Sequence, residues 1–181
     1  MPHKTEDHIP EEFQPEPGWQ VLPFPRKFGE GRSFVSGDID GDRLRIWYFL
    51  RDDDGMLCAK VWFGMGAEGP PGHAHGGSMA AVLDEAMGFA GWVAGHPVVA
   101  ATITITFHHK LPLEKVLHVE AWVSNVENKK IIAKGRIFDP ETERVFTESE
   151  GLFIVQPIEK FGMLSEIPVE GEKARAARST I

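Results

Sequence analysis

The sequence predicts an α+β fold in which an antiparallel, curved sheet of about five to six strands wraps around one long central helix. Three observations carry this. One stretch, Ser78 to Ala94, is apolar on almost every face, the pattern of a buried helix. Extended runs rich in branched, aromatic or alternating residues flank it, two before and four after. Short turn-forming segments join several of these runs, as antiparallel neighbours require.

The elements follow in chain order. Pro2, Pro10, Pro15, Pro17, Pro23 and Pro25 crowd residues 1–31 and predict an extended or disordered leader, not a folded element. Leu44 to Leu50 and Leu57 to Phe63 read as strands, and Asp52-Asp53-Asp54-Gly55 between them makes a hairpin turn. A loop containing Gly64, Gly66, Gly69, Pro70, Pro71 and Gly72 runs into His73-Ala74-His75-Gly76-Gly77. The helix follows and is stopped by Gly95 and His96-Pro97. A helix of this kind inside a curling sheet would be buried on all sides. Val98 to His108, Val116 to Val126, Lys129 to Phe138 and Val145 to Val155 are the remaining strands. Turns at Glu127-Asn128 and Asp139-Pro140-Glu141-Thr142 imply an antiparallel meander. The expected organisation is a leader (1–31), one domain (32–157) and a loose polar tail (158–181).

A length of 181 residues suits one domain with a real core. The net charge of -8 repels phosphate backbones, so no nucleic-acid partner is expected. Cys58 is the sole cysteine, which excludes an intrachain disulfide and fits a reducing compartment. Met1 to Pro17 is polar and acidic, without the pattern of a secretory signal. The stretch Ser78 to Ala94 is short for a membrane span and carries two carboxylates. A cytoplasmic protein without membrane contact is the expectation.

Those two carboxylates, Asp84 and Glu85, are the only charges between Gly76 and Gly95. An ionised carboxylate in an apolar segment costs stability unless it is paired, and burial raises its pKa toward the range useful to a general base. Successive helical residues differ by about 100°. One of the pair therefore points into a site, and the other to solvent, a partner chain or a basic side chain. The competing reading places both at a wet helix edge in ordinary salt bridges. The second element is the helix start, His75-Gly76-Gly77, whose free backbone N–H groups can hold an oxygen that becomes an oxyanion. The competing reading is a glycine turn needed for backbone shape alone. Asp84 follows Gly77 by seven residues, which is about 10 Å along a helix axis. One helix cannot easily bring both to one substrate. Two antiparallel helices from two subunits can, which predicts a two-fold dimer with two shared sites.

The segment Gly69-Pro70-Pro71-Gly72-His73-Ala74-His75-Gly76-Gly77-Ser78, running on to Leu83-Asp84-Glu85-Ala86, resembles the signature of hotdog-fold thioesterases. The closest groups are the phenylacetate-pathway type and the human thioesterase-superfamily members that act on acyl-CoA. The resemblance spans residues 55–156 and includes the apolar-Thr strand and Lys110-Leu111-Pro112-Leu113. It implies hydrolysis of an acyl-CoA to acid and CoA, with no metal and no cofactor beyond the CoA of the substrate. It implies Asp84 as the catalytic acid, acting as general base or nucleophile. Gly77 is implied as the amide that polarises the thioester carbonyl, and His75 as the residue shaping the loop. Gly76, Gly69, Ala100 and Thr102 are implied in substrate binding. Several members have Ser or Thr where this chain has Ala100, with Thr102 and Thr104 nearby, and some have Asn near the place of Gly69. Members typically form dimers that pair into tetramers.

Other candidates follow from composition. His73, His75, His108 and His109 lack the further ligands of a metal site. His108, His109 and Lys110, with Lys115, Lys129, Lys130, Lys134 and Arg136, make either a patch for CoA phosphates or a set of solvated strand ends. Trp47, Trp62, Trp92 and Trp122 are expected in the core, and Phe89 and Trp92 in the core or acyl pocket. Ser78 has no triad partners. Two alternatives to hydrolysis remain open: a hotdog acyl-CoA hydratase or dehydratase, and an acyl-CoA-binding protein without catalysis, to which Ala100 lends weight.

Overall fold

The computed structural model describes residues 8–23, 26–28 and 31–161. The strands are β1 (Trp19–Val21), β2 (Lys27–Phe28), β3 (Gly31–Arg32), β4 (Leu44–Arg51), β5 (Leu57–Phe63), β6 (Val98–Phe107), β7 (Val116–Glu127), β8 (Lys130–Phe138) and β9 (Val145–Val155). One helix, α1 (Gly76–Val93), lies between β5 and β6 in the chain. Seven strands form one sheet in the order β1-β4-β5-β7-β8-β9-β6, every neighbouring pair antiparallel. β2 and β3 pair separately. The meander holds for β7-β8-β9, but β6 stands outside it as the sheet's far edge.

Helix α1 packs on the sheet through Met79, Val82, Leu83, Ala86, Met87, Phe89, Ala90 and Trp92, all buried. Each large apolar side chain of this kind contributes about 1.5–3 kcal/mol by leaving water. Close approach is set by Gly135 of β8, where an added Cβ would meet Leu83 Cδ2 at 3.1 Å and Met87 Cγ at 3.4 Å. The stop at Gly95 is a paired C-terminal cap. Gly95 (φ 86°) donates its N–H to Trp92 O at 2.8 Å, and His96 N–H bonds Gly91 O at 2.9 Å.

Burial of the helix on all sides does not hold. Gly77 and Asp84 are exposed, and Ala80, Ala81 and Gly88 only partly covered. This stripe reads as apolar in sequence because glycine and alanine count as such. They bury little area, so a single chain leaves them uncovered at small cost.

The unfolded leader is also corrected, for residues 8–23. Glu11–Phe13 form a short 3-10 turn, and Trp19–Val21 pairs with Phe49–Arg51 at the other sheet edge. The reason lies in β4, whose run is apolar on both faces. Ile46 and Tyr48 face the helix, while Trp47 and Phe49 point to the outer side. Phe13 (1% exposed) covers that side with its ring 4.2 Å from Trp47, and Trp19 stacks on Phe49 at 5.6 Å. Glu16 adds an ion pair with Lys60 at 2.6 Å. Phe13→Ala should therefore cost about 3 kcal/mol, read as a lower urea midpoint. An unchanged midpoint would mean that the segment leaves the sheet in solution. Residues 1–7, 24–25 and 29–30 of the expected leader and 162–181, most of the expected tail, lie outside the described residues.

Candidate functional site

The turn before α1 is built by backbone. Gly69 N–H bonds His73 O, Ala74 N–H bonds Leu111 O, and His75 N–H bonds Ala67 O, at 2.8–2.9 Å. Gly69 lies against His75, where an added Cβ would collide with its Cα at 2.7 Å. His75 is the N-cap residue, extended at φ -65° and ψ 137°. Its ring Nδ1 accepts the Gly77 N–H at 2.9 Å, and Ser78 Oγ donates to His75 O at 2.7 Å. Accepting at Nδ1 leaves the proton of the neutral ring on Nε2. The Gly77 amide is thus already engaged. The Gly76 N–H has no protein acceptor among the described residues, and the Phe107 ring lies over it, 3.3 Å from an added Cβ. Phe107 is 51% exposed.

Asp84 stands on the uncovered helix stripe. No hydrogen bond or ion pair holds its carboxylate among the described residues, yet surrounding protein raises its pKa above the usual aspartate range through desolvation. Glu85 differs. It is partly buried, makes no salt bridge among the described residues, and is held by hydroxyls: Ser33 Oγ donates to Oε2 at 2.6 Å and Tyr48 Oη to Oε1 at 3.0 Å. Burial raises its pKa, opposed by those bonds and by the charge of Arg26. Of the two adjacent acids, one is a fixed strut and the other stands free.

Strand β6 passes along the helix, with Val98 against Gly91 at one end and Phe107 against Gly76 at the other. A bulge interrupts its register between Ala100 and Thr102. Val98, Ile103 and Ile105 pack into the helix-side core. Alternation then puts Ala100 on the helix side, as Val98 is, and turns Thr102 and Thr104 to the opposite face. Neither threonine hydroxyl is therefore on the side of Asp84. Ala100, which is, has no hydroxyl.

His108, His109 and Lys110 follow the end of β6 and are exposed. His108 Nε2 pairs with Glu148 at 2.8 Å. The wider basic patch is largely neutralised: Lys115 binds Asp139 and Glu141, Lys134 binds Glu150, and Arg136 binds Glu120. Lys110 instead lines a cleft of about 510 Å³ with His73, Lys115, Asp139 and Arg144. His73 Nδ1 is bonded to Pro71 O at 2.8 Å. Among the described residues no three His, Cys, Asp or Glu side chains converge as a metal site, and no helix is long and apolar enough to cross a membrane. Trp47 and Trp92 are core residues, Trp62 and Trp122 partly exposed, and Phe89 is buried edge-on against Tyr48 at 5.0 Å.

The structure thus gathers His75, Gly76, Gly77 and Gly69 at one helix end and sets Asp84 about 10 Å further along the same open stripe. The strut of Ser33, Tyr48 and Glu85 was not foreseen in the sequence, because its members come from three separate segments.

A model of the thioesterase superfamily matches residues 71–146, the interval from this turn through the helix to the start of β9. The acyl-coenzyme A thioesterase THEM5 of Homo sapiens is 28% identical over 122 residues, 67% of this chain and 49% of that protein. The chain spans about half the length of the curated relatives it matches. A solved thioesterase superfamily protein is 28% identical with a TM-score of 0.57, over 61% of this chain and 53% of that one. A hypothetical thioesterase of Streptococcus pneumoniae, solved with coenzyme A, shares the fold at a TM-score of 0.54 and 18% identity, over 66% of this chain and 87% of its own. With its histidine-glycine turn, its central helix and its antiparallel sheet matched in this way, the chain is similar to members of the thioesterase superfamily and has the hotdog fold.

Proposed function

We propose that this chain hydrolyses an acyl-CoA thioester to the free acid and CoA, at a site completed by a second copy of itself. The observation that carries the reading is Asp84: an exposed carboxylate whose pKa the surrounding protein raises, without a protein partner among the described residues, on the uncovered stripe of the central helix. Such a group is held ready for something that the single chain does not contain.

The carbonyl oxygen of the thioester sits at the helix start and takes the Gly76 N–H, with the Gly77 N–H shared when the His75 ring yields it. His75 Nε2–H is a further donor at the same turn. Asp84 of the other protomer removes a proton from water or attacks the carbonyl carbon itself. Either route needs the ionised carboxylate. The tetrahedral oxyanion is stabilised by the amide, and collapse expels the CoA thiolate; attack by water gives the free acid at once, whereas attack by Asp84 gives an acyl–Asp84 anhydride that water then cleaves to the acid and the carboxylate. No metal or separate cofactor takes part.

The two-chain site follows from the distance of about 10 Å between the helix start and Asp84 on one helix. Two surfaces support the association. The open stripe of Gly77, Ala80, Ala81, Asp84 and Gly88 lets another backbone come close, and β6 is a ten-residue free edge carrying exposed Val99 and Phe107. Dimers pairing into tetramers, and action in the cytoplasm, belong to the same reading. So does the division into a working domain, 32–157, with flanking segments, although residues 8–23 pack as part of the fold.

A thiol-release screen over short, long and aromatic acyl-CoAs tests the activity. Release from at least one is expected. Tight CoA binding with no release would instead favour the binding-protein reading that Ala100 suggests, and hydration of crotonyl-CoA would favour a hydratase. The raised pKa of Asp84 sets the pH profile. The active form is the carboxylate, so kcat/KM should rise with pH through a limb lying above the ordinary aspartate range. A profile flat from pH 4 upward (on the order of the ordinary aspartate value) would contradict the assignment.

A further inference from the structure

We propose that Glu85 is a positioning residue that fastens residues 33–36 to the helix beside Asp84, and that this segment lines the acyl pocket through Phe34. The inference rests on the reading of Asp84 as the hydrolytic carboxylate and names the specificity element of that site.

The fastening is unusually complete. Both Glu85 oxygens are used, one by Ser33 Oγ at 2.6 Å and one by Tyr48 Oη at 3.0 Å. Ser36 Oγ donates on to Ser33 Oγ at 2.9 Å, and Gly37 N–H closes the turn on Ser33 O at 3.1 Å. That turn leaves no room for a side chain at Gly37, where a Cβ would lie 2.6 Å from Ser33 N. From the other side, the Arg26 guanidinium donates to Ser36 O at 2.9 Å and to Ile46 O at 2.8 Å. Ser33, Ser36 and Tyr48 are at most 7% exposed. A partly buried carboxylate that meets hydroxyls and, among the described residues, no direct ion pair costs stability relative to an apolar side chain of the same size. Packing alone therefore does not explain a glutamate here, whereas holding one segment in one place does.

Phe34 is what the segment holds. It lies between Ser33 and Val35, both buried, yet is itself 77% exposed, the most exposed of the large apolar side chains described. Its backbone is fixed and its ring is uncovered. One hydrogen bond and two chain neighbours separate it from Asp84: Phe34 follows Ser33, Ser33 binds Glu85, and Glu85 follows Asp84. The occupant assigned to that ring is an acyl chain leaving a thioester carbon at Asp84, and a two-carbon acetyl group is expected to leave it untouched.

The test is thiol release from acetyl-, octanoyl- and palmitoyl-CoA by the full chain and its variants. Phe34→Ala should lower the palmitoyl-to-acetyl ratio of kcat/KM by about tenfold, with acetyl-CoA unchanged. Glu85→Ala should reproduce this fall. Glu85→Gln keeps an acceptor for the hydroxyls and should restore the ratio. Phe34 is exposed, so its truncation leaves folding intact even if Glu85→Ala does not fold. An unchanged ratio in Phe34→Ala, or an equal loss for all three substrates in Glu85→Ala, overturns the proposal. If the wild-type protein releases no thiol from any of them, hydrolysis fails as the function. Calorimetric Kd values for the same three ligands then decide the pocket by the same criterion.

Discussion

Asp84→Asn is expected to lower kcat for acyl-CoA hydrolysis by about a thousandfold, the middle of the range for removing a general base. The amide is the same size and cannot take a proton or attack carbon. Nothing in the fold depends on the charge, since no side chain of the described residues binds the Asp84 carboxylate and its position is exposed. The melting temperature should stay the same or rise slightly, because a desolvated carboxylate is a small liability to the folded state. A melting temperature several degrees lower, with activity retained, would mean that Asp84 serves the structure. The neighbouring residue gives the contrast: Glu85→Ala leaves the Ser33 and Tyr48 hydroxyls buried without their acceptor and should lower stability.

Gly76→Pro is expected to reduce kcat by about a hundredfold or more, the loss on removing one oxyanion donor. Proline deletes one N–H and nothing else of importance here. Position 76 is the first of the helix, where proline is well accommodated because that amide has no intrahelical partner. His75 already has ψ 137°, the extended conformation that a residue before proline prefers. The Phe107 ring is the nearest obstacle, and it is half exposed and free to shift. The variant should fold, bind CoA and turn over slowly. Full activity in Gly76→Pro would return the donor role to Gly77, whose N–H would then have to leave His75 Nδ1.

Strands β4 to β9 and the helix are legible in the sequence to within a residue or two, because each is a local pattern. The Val98 to Phe107 alternation, the Asp52–Gly55 turn and the Gly95 stop act within a few residues of chain. β1 is hidden: three residues beside Pro15 and Pro17 carry no period, and only the doubly apolar face of Trp47 and Phe49 calls for the cover that Phe13 and Trp19 provide. The outer place of β6 is hidden as well, since strand order depends on pairings far apart in sequence. At the site, the contrast between Asp84 and its apolar neighbours is visible in the chain. The different environments of Asp84 and Glu85 are not, because Ser33 and Tyr48 are 52 and 37 residues from Glu85. The Gly77 amide shows the same limit at short range. The His75-Gly76-Gly77 run names the turn, but a side-chain rotamer decides which amide remains free.

Mixing the two inactive variants tests the shared site most directly. Equal amounts of Asp84→Asn and Gly76→Pro protein, unfolded together and refolded, form mixed dimers in which one site carries both defects and the other neither. Random pairing makes half the dimers mixed, so the sample should recover about a quarter of wild-type specific activity. A sample no more active than its two parents, with mixed dimers present by native mass spectrometry, would show that each chain keeps its own helix start and its own Asp84 at one site, and would contradict a site shared between subunits.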